Sequence, residues 1–389
     1  MHISTENVGA TLAVLWHCLP TLSCNKSSRA VFSAVTRFIL TLFVCFSSLH
    51  SVRAWNAEGH MIVAQIAYNH LNPIARAKCD ALIATPVFYA SNYNNTFVTA
   101  ACWADDIRSA VSTFNNWHFI NIPFSLDGAP TNSFTPPSFD VVQAIQTNIA
   151  MLQNPSATLS NQAVHLRFLL HFVGDIQQPL HCSTAITASR PGGDFGGNSF
   201  SLSGGWGNLH SLWDGGGGFL FDSLPRPLSA SAQQTLNARV AAIEASYPYN
   251  YSTNLGLIPN PMTWALEGYG LAQTVCYVAI APNSTPSSDY LNTAQMTTGA
   301  RMAKGGHRLA DLLNTIYPMP PIHLSSILLT NGNIRFSWSA VTGGVFRVQW
   351  KGQLAEPAWN TATNITAFSS SISFTDALTQ TQRFYRVMQ

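Results

Sequence analysis

The run Arg167-Phe-Leu-Leu-His171-Phe-Val-Gly-Asp175-Ile-Gln-Gln-Pro179-Leu-His181 constrains this chain more than any other stretch. Its spacing predicts a helix over 161–176, stopped by Pro179, with His181 just beyond. Residues four apart share a helix face, so Val164, Phe168, His171 and Asp175 form one stripe. The stripe is apolar except for its last two members. An imidazole and a carboxylate inside a core need partners, because an unpaired buried polar group costs several kcal/mol. A metal ion is the partner that engages both at once.

Other polar residues sit just as oddly among apolar neighbours. They are His60, Asp105 in Trp103-Ala-Asp105, His118 in Trp117-His-Phe-Ile, and the pair in Leu209-His210-Ser-Leu-Trp-Asp214, which repeats the i, i+4 spacing. A lone histidine on a helix is usually a hydrogen-bonded core residue, and one His-x-x-x-Asp pair is usually a local contact. Five histidines and three aspartates in this pattern are a ligand set for borderline cations, zinc first, because imidazole suits it. Eight side chains are too many for one tetrahedral ion and suit two or three. Trp55 is a ninth candidate. Cleavage after Ala54 exposes its α-amino group, which titrates near 8 and so readily gives up its proton to a cation. An early core residue is the other reading of Trp55.

The expected processing follows from residues 1–54. Arg37 precedes the apolar run 38–49, and Val52-Arg53-Ala54 resembles a small-residue cleavage site, so this segment reads as a signal peptide. The run is too short to span a bilayer comfortably. A secreted or periplasmic protein without stable membrane insertion is expected, and a monomer. Charged residues make up only 9% of the chain, which suits an extracytoplasmic protein. Removing 1–54 lowers Lys+Arg from 19 to 15 and Asp+Glu from 17 to 16, a net of −1. That excludes a polyanion binder held mainly by Lys and Arg. Cys79, Cys102, Cys182 and Cys276 remain after cleavage, and their even number allows two disulfides, with buried thiols as the other reading.

Helical periodicity covers 58–71, 73–82, 98–111, 139–152, 161–176, 229–246, 263–281 and 287–316, with strands scarce, so residues 55–318 are expected to form an all-α domain. The texture changes after Pro318-Met-Pro-Pro321. Ile334, Phe336 and Trp338 alternate, as do Phe346, Val348 and Trp350, and Asn331-Gly332 and Gly343-Gly344 are hairpin signals. Residues 319–389 are therefore expected to form a small β-rich module, fibronectin type III-like in texture, with no catalytic constellation and an unknown partner.

The motifs Trp55-Asn-Ala-Glu-Gly-His60, Trp103-Ala-Asp105-Asp-Ile-Arg108, His118-Phe-Ile, Arg167 to His181, Asn208-Leu-His210-Ser-Leu-Trp-Asp214 and Ala303-Lys-Gly-Gly-His-Arg-Leu-Ala310 resemble the secreted zinc-dependent single-strand nucleases of the S-one/P-one type. Bacterial zinc phospholipases C are a sister family of the same fold, but have a longer gap between the N-terminal Trp and the first His, and Glu where this chain has Asp214. The resemblance implies three zinc ions. One takes Asp105, His118, His171 and Asp175. A second takes the Trp55 amine and carbonyl, His60 and Asp175, which bridges the pair. The third takes His181, His210 and Asp214. It further implies cleavage of single-stranded DNA and RNA to 5′-phosphate products, with 3′-nucleotides as additional substrates. Arg108 neutralises phosphoryl charge in that scheme and Phe119 stacks a base; a surface arginine and a core aromatic are their other readings. Asn121 stands where the family commonly has Asp, which bears on base preference. Asn198, in the glycine-rich loop 190–205, is a candidate for shaping the cleft, with simple loop flexibility the competing account. Two alternatives stand beside the nuclease: a zinc phospholipase C, and a non-enzymatic secreted binding protein.

Overall fold

The computed structural model describes residues 55–132, 134–220, 224–249, 260–379 and 382–389; the expected signal segment lies outside them. Among the described residues no helix is long and apolar enough to cross a membrane. The residues from Trp55 to Tyr317 are mainly helical. Helix α1 (Ala57–Asn69) begins where Asn56 Oδ1 accepts from the Gly59 amide, satisfying one of the free donors of the first turn. Helix α2 (Pro73–Ala84) is capped by Asn72, with proline at its first position.

The helix expected over 98–111 is broken in two, α3 (Phe97–Ala100) and α4 (Trp103–Ile107). A reciprocal Thr96/Thr99 capping box starts the first piece. At the break, the Ala101 carbonyl accepts from His171 Nδ1 at 2.6 Å. Periodicity cannot register such an interruption, since the apolar spacing runs through it.

Helix α5 (Val141–Gln153) opens with an Asp140/Gln143 capping box, and α6 (Leu159–Asp175) carries the central stripe. Two short strands, β1 (Ile122–Ser125) and β2 (Ser183–Ile186), pair in parallel between the helices. Each is only four residues long, too short for an alternating pattern to stand out in the sequence. Helix α7 (Leu209–Asp214) and α8 (Ala230–Ser246) follow. Helix α9 (Pro261–Leu271) runs into a π-turn over Ala272–Cys276, so the pattern at 263–281 is not one regular helix. The long α10 (Ser288–Ile316) packs against α1, where a Cβ added to Gly306 would lie 2.4 Å from Ile66 Cγ2. Only glycine permits that approach.

One ionic cluster, with buried arginines around a partly exposed Glu267, links α9 and α10 to the turn after α6. Glu267 Oε2 accepts from Arg301 Nη1 at 2.6 Å and Oε1 from Arg308 Nη2 at 2.7 Å, while Arg301 Nε donates to the Gln177 carbonyl at 3.0 Å. This accounts for the Arg in the Ala303–Ala310 motif. Burial works to raise the Glu267 carboxyl, but Arg308 and Arg301 outweigh it and hold it down at about 2. A carboxylate depressed below its unfolded value contributes stability above a pH of about 4.3, lost as pH falls toward the folded value. Glu267→Gln is therefore expected to lower Tm by about 3 °C at neutral pH. In thermal melts the gap to wild type should shrink on acidification below about pH 4.3; a gap constant down to acid pH would remove these ion pairs from the account.

The expected disulfides are absent among the described residues. Cys79, Cys102, Cys182 and Cys276 are all buried free thiols. The reason is packing. Cys79 and Cys182 lie in the main helical core, Cys102 in the core beneath α1, where it donates to the Ala57 carbonyl, and Cys276 in a third cluster around Trp213. Burial pushes the Cys182 thiol up to about 12 and raises Cys276 well above its ordinary value, so both stay protonated.

After Tyr317 the chain is strand-rich. Strands β3 (Leu324–Thr330), β4 (Asn333–Ser339), β5 (Val345–Lys351), β6 (Asn360–Thr366), β7 (Ser371–Ala377) and β8 (Phe384–Met388) form two antiparallel sheets, ordered β3-β4-β7 and β6-β5-β8. The alternating residues Phe336 and Trp338 of one sheet and Phe346 and Val348 of the other share a small core. Asn331 and Gly332 supply the positive φ angles of the first hairpin turn.

Candidate metal centre

Helix α6 aims His171 and Asp175 inward from its last turn, and the other ligand candidates arrive from separate elements. His60 comes from α1, Asp105 from α4, and His118 from the 3-10 turn Ser112–His118. Asp175 is at the centre. Its Oδ1 lies 3.4 Å from His60 Nε2, and its Oδ2 lies 3.0 Å from His118 Nδ1 and 3.2 Å from His171 Nε2. Asp105 Oδ1 stands 3.8 Å from the same atoms of His118 and His171. A second group forms beside it from His181, His210 and Asp214, with Asp214 oxygens 4.0 Å from His181 Nε2 and 3.5 Å from His210 Nε2.

The groups are tied together through the backbone. His181 Nδ1 donates to the His118 carbonyl at 2.7 Å, and the Ile120 amide returns a bond to the His181 carbonyl at 2.7 Å. The β1/β2 pair continues that register, so two short strands set the distance between the two groups of ligands. The Asn56 amide donates to the Asp214 carbonyl, which brings Trp55 and Asn56 alongside α7. Trp55 is fully buried, with Nε1 donating to the Gly174 carbonyl at 3.0 Å. Gly174 leaves room for His60, whose Nδ1 would lie 2.9 Å from an added Cβ.

These residues fit a metal. Ligands held about 2.0–2.1 Å from a tetrahedral zinc stand roughly 3.4 Å apart, close to the 3.0–3.8 Å between donor atoms in the first group. His60, His118, His171, Asp175 and His181 are each 0% exposed. Nevertheless His60 Nε2, Asp175 Oδ1 and His181 Nε2 find no hydrogen-bond partner among the described residues. Buried polar atoms are rarely left so. The outward nitrogens, by contrast, are held by backbone: His171 by Ala101, His181 by His118 and His210 by Gly196. Such bonds fix ring orientation in metal sites.

The electrostatics of three of the histidines agree, whereas at His171 burial is outweighed by Asp175 and Asp105, which raise it to about 9. Burial, reinforced by neighbouring imidazoles, holds His60, His118 and His181 well below their ordinary values, so they are neutral and keep a lone pair for a cation. Burial pushes Asp214 well up, with a Gln178 hydrogen bond opposing it, and pushes Asp175 up to about 6 against the pull of His171. A bound cation reverses both carboxylate shifts.

Arg108 Nη1 lies 3.4 Å from Asp105 Oδ1, on the rim of the first group. Phe119 is half-buried and packs in none of the core clusters of the described residues. Asn121 is buried, and Asn198 Nδ2 donates to the Phe195 carbonyl within its own loop. Residues unremarked in sequence also matter. Gln178 Nε2 donates to Asp214 Oδ1 at 2.8 Å, which orients that carboxylate. Phe195, 57% exposed with φ +57°, precedes the Gly196 carbonyl that holds His210. The Gln-Gln-Pro turn was a legible hint for Gln178; nothing local marked Phe195.

Residues 55–318, which carry both groups, match the S1/P1 Nuclease family, and the chain belongs to that family. Among characterised relatives it is 27% identical to Nuclease P1 of Penicillium citrinum over 68% of this chain and 98% of that one. It is also 27% identical to Endonuclease 1 of Arabidopsis thaliana, over 74% of this chain and 95% of that one. Alpha toxin from Clostridium absonum aligns over 85% of this chain and 83% of that one, at 11% identity and a TM-score of 0.38.

Proposed function

We propose that this protein is an exported, zinc-dependent endonuclease that hydrolyses single-stranded DNA and RNA to 5′-phosphate products and also acts as a 3′-nucleotidase. The convergence of His60, Asp105, His118, His171 and Asp175 beside His181, His210 and Asp214, with orphaned buried ligand atoms, carries the reading. Membership of the nuclease family and the names of the nuclease relatives support the substrate class. Zinc held by these residues, with Trp55 completing one site, supplies Lewis acidity toward a phosphoryl oxygen and a water nucleophile at neutral pH.

The chain's own groups do the rest. Asp175, reached by His60 on one oxygen and by His118 and His171 on the other, would be the anion shared by the ions these residues hold. Arg108, kept in place by Asp105, presents positive charge to the phosphoryl oxygens as charge develops there. Phe119 offers a face to an unstacked base, which favours single strands, and Asn121 and Asn198 take polar contacts nearby. The signal-like segment 1–54 supports export, and the sheet orders β3-β4-β7 and β6-β5-β8 support a fibronectin type III-like module over residues 319–389, separate from a nuclease domain of residues 55–318.

The test is an assay of the mature protein on single-stranded DNA, RNA, 3′-mononucleotides and phosphatidylcholine, with zinc measured by elemental analysis. Lipid turnover without nucleic-acid cleavage would favour the phospholipase reading, and no turnover of any substrate the non-enzymatic one. Phe119→Ala should raise KM on single-stranded DNA about tenfold with a small change in kcat, from loss of one stacked base at about 1–3 kcal/mol. An unchanged KM would return Phe119 to a packing role.

A further inference from the structure

We propose that His70, Glu244 and His307 form a further binding site for a divalent cation of the zinc class, separate from the nuclease centre. Three helices deliver them. His70 caps the C-terminal end of α1, Glu244 lies in α8 and His307 in α10. One ligand atom from each lies within 4.8 Å of the others. His70 Nε2 is 2.5 Å from Glu244 Oε1, and His307 Nε2 is 3.9 Å from the same oxygen.

A hydrogen bond between His70 and Glu244 accounts for that pair alone. It leaves His307 unexplained. This residue is only 4% exposed, yet its Nε2 has no hydrogen-bond partner among the described residues. A buried imidazole nitrogen rarely goes unsatisfied. The rings of His70 and His307 stand edge to face, 5.4 Å apart at 84°, so they do not stack away the space between them.

The surroundings hold the donors in place. Asn69 Nδ2 approaches the other Glu244 oxygen at 3.5 Å, and Gln65 Nε2 donates to Asn69 Oδ1 at 2.9 Å. The Tyr249 ring stacks on His70 at 4.4 Å, and its hydroxyl donates to Asp311, one turn beyond His307 on α10. The side chains of His70 and Glu244 are 24% and 22% exposed, which leaves an entry path for an ion. A cleft of about 850 Å³ lined by Asn69 and Glu244 opens from the same surface. Two imidazoles and one carboxylate select a borderline cation over magnesium or calcium, which prefer all-oxygen shells. An ion here ties the far end of α1, the helix that carries His60, to α8 and α10.

The test compares full-length mature protein, purified with zinc, against His307→Gln and Glu244→Gln. Elemental analysis should find one zinc equivalent fewer in each variant. Adding zinc to about a hundredfold above its Kd should raise the wild-type Tm by about 5 °C beyond the rise in either variant. Should His307→Gln fail to fold, Glu244→Gln at its partly exposed position decides the matter. Equal zinc content in wild type and folded variants, or equal Tm shifts, overturns the proposal. Because the readout is a difference in bound zinc, it stands apart from whether the protein cuts nucleic acid.

Discussion

Asp175→Asn should lower activity on single-stranded DNA by about a thousandfold or more, a loss of about 4 kcal/mol in transition-state stabilisation. The substitution preserves volume and shape, so circular dichroism should be unaltered. What changes is charge. Asp175 is fully buried, and its two oxygens face three imidazoles at 3.0–3.4 Å. Asparagine offers one neutral acceptor and one NH2 group, which repels a cation and cannot join two of them. Bound zinc should therefore fall along with activity. Retained activity, or a full complement of zinc, would mean that Asp175 is not the shared ligand.

An extra residue left before Trp55 should lower both zinc content and activity, the latter by about a hundredfold. A free α-amine titrates near 8 and can surrender its proton to a cation, whereas an amide nitrogen has no lone pair to give. Trp55 cannot move aside to compensate. Its ring is fully buried and bonded to the Gly174 carbonyl, and the next residue is pinned to the Asp214 carbonyl. Comparing the protein starting at Trp55 with one that retains Ala54 isolates this group. Equal zinc content in the two would exclude ligation by the terminal amine.

Much of the helical fold was legible because its elements are amphipathic; the caps Asn72, Asp140 and Thr158, which fix where three of the helices begin, come from the structure. The break at Ala101–Cys102 was not legible, since the apolar spacing runs through it and the Ala101 carbonyl there accepts from His171, far along the chain. The β1/β2 pair escaped notice for a similar reason: a parallel pairing of four residues each has too few side chains for a pattern. The cysteines make the same point from the other side. Their even number allowed disulfides, but bridging requires Cα atoms about 4.4–6.8 Å apart, and that is a property of packing.

By itself the sequence marked the candidate ligands, because five histidines and three aspartates in this pattern are hard to explain together as core hydrogen-bonding residues, though each one singly could be. It also determined the family, because the motifs occur in order along the whole of residues 55–318. Which ligands meet was implied only by the family resemblance; the spacing of the residues left it open, and the distances between them come from the tertiary structure. His171 and Asp175 share a helix face, but that face does not say that Asp175 would be reached by His60 and His118 while His181 turned to His210 and Asp214. The cluster of His70, Glu244 and His307 illustrates the limit most plainly. Each of its members reads in sequence as an ordinary helical residue, and only the crossing of three helices brings them together. Side-chain chemistry is written locally, whereas the distances that turn it into a site come from packing between segments remote in the chain.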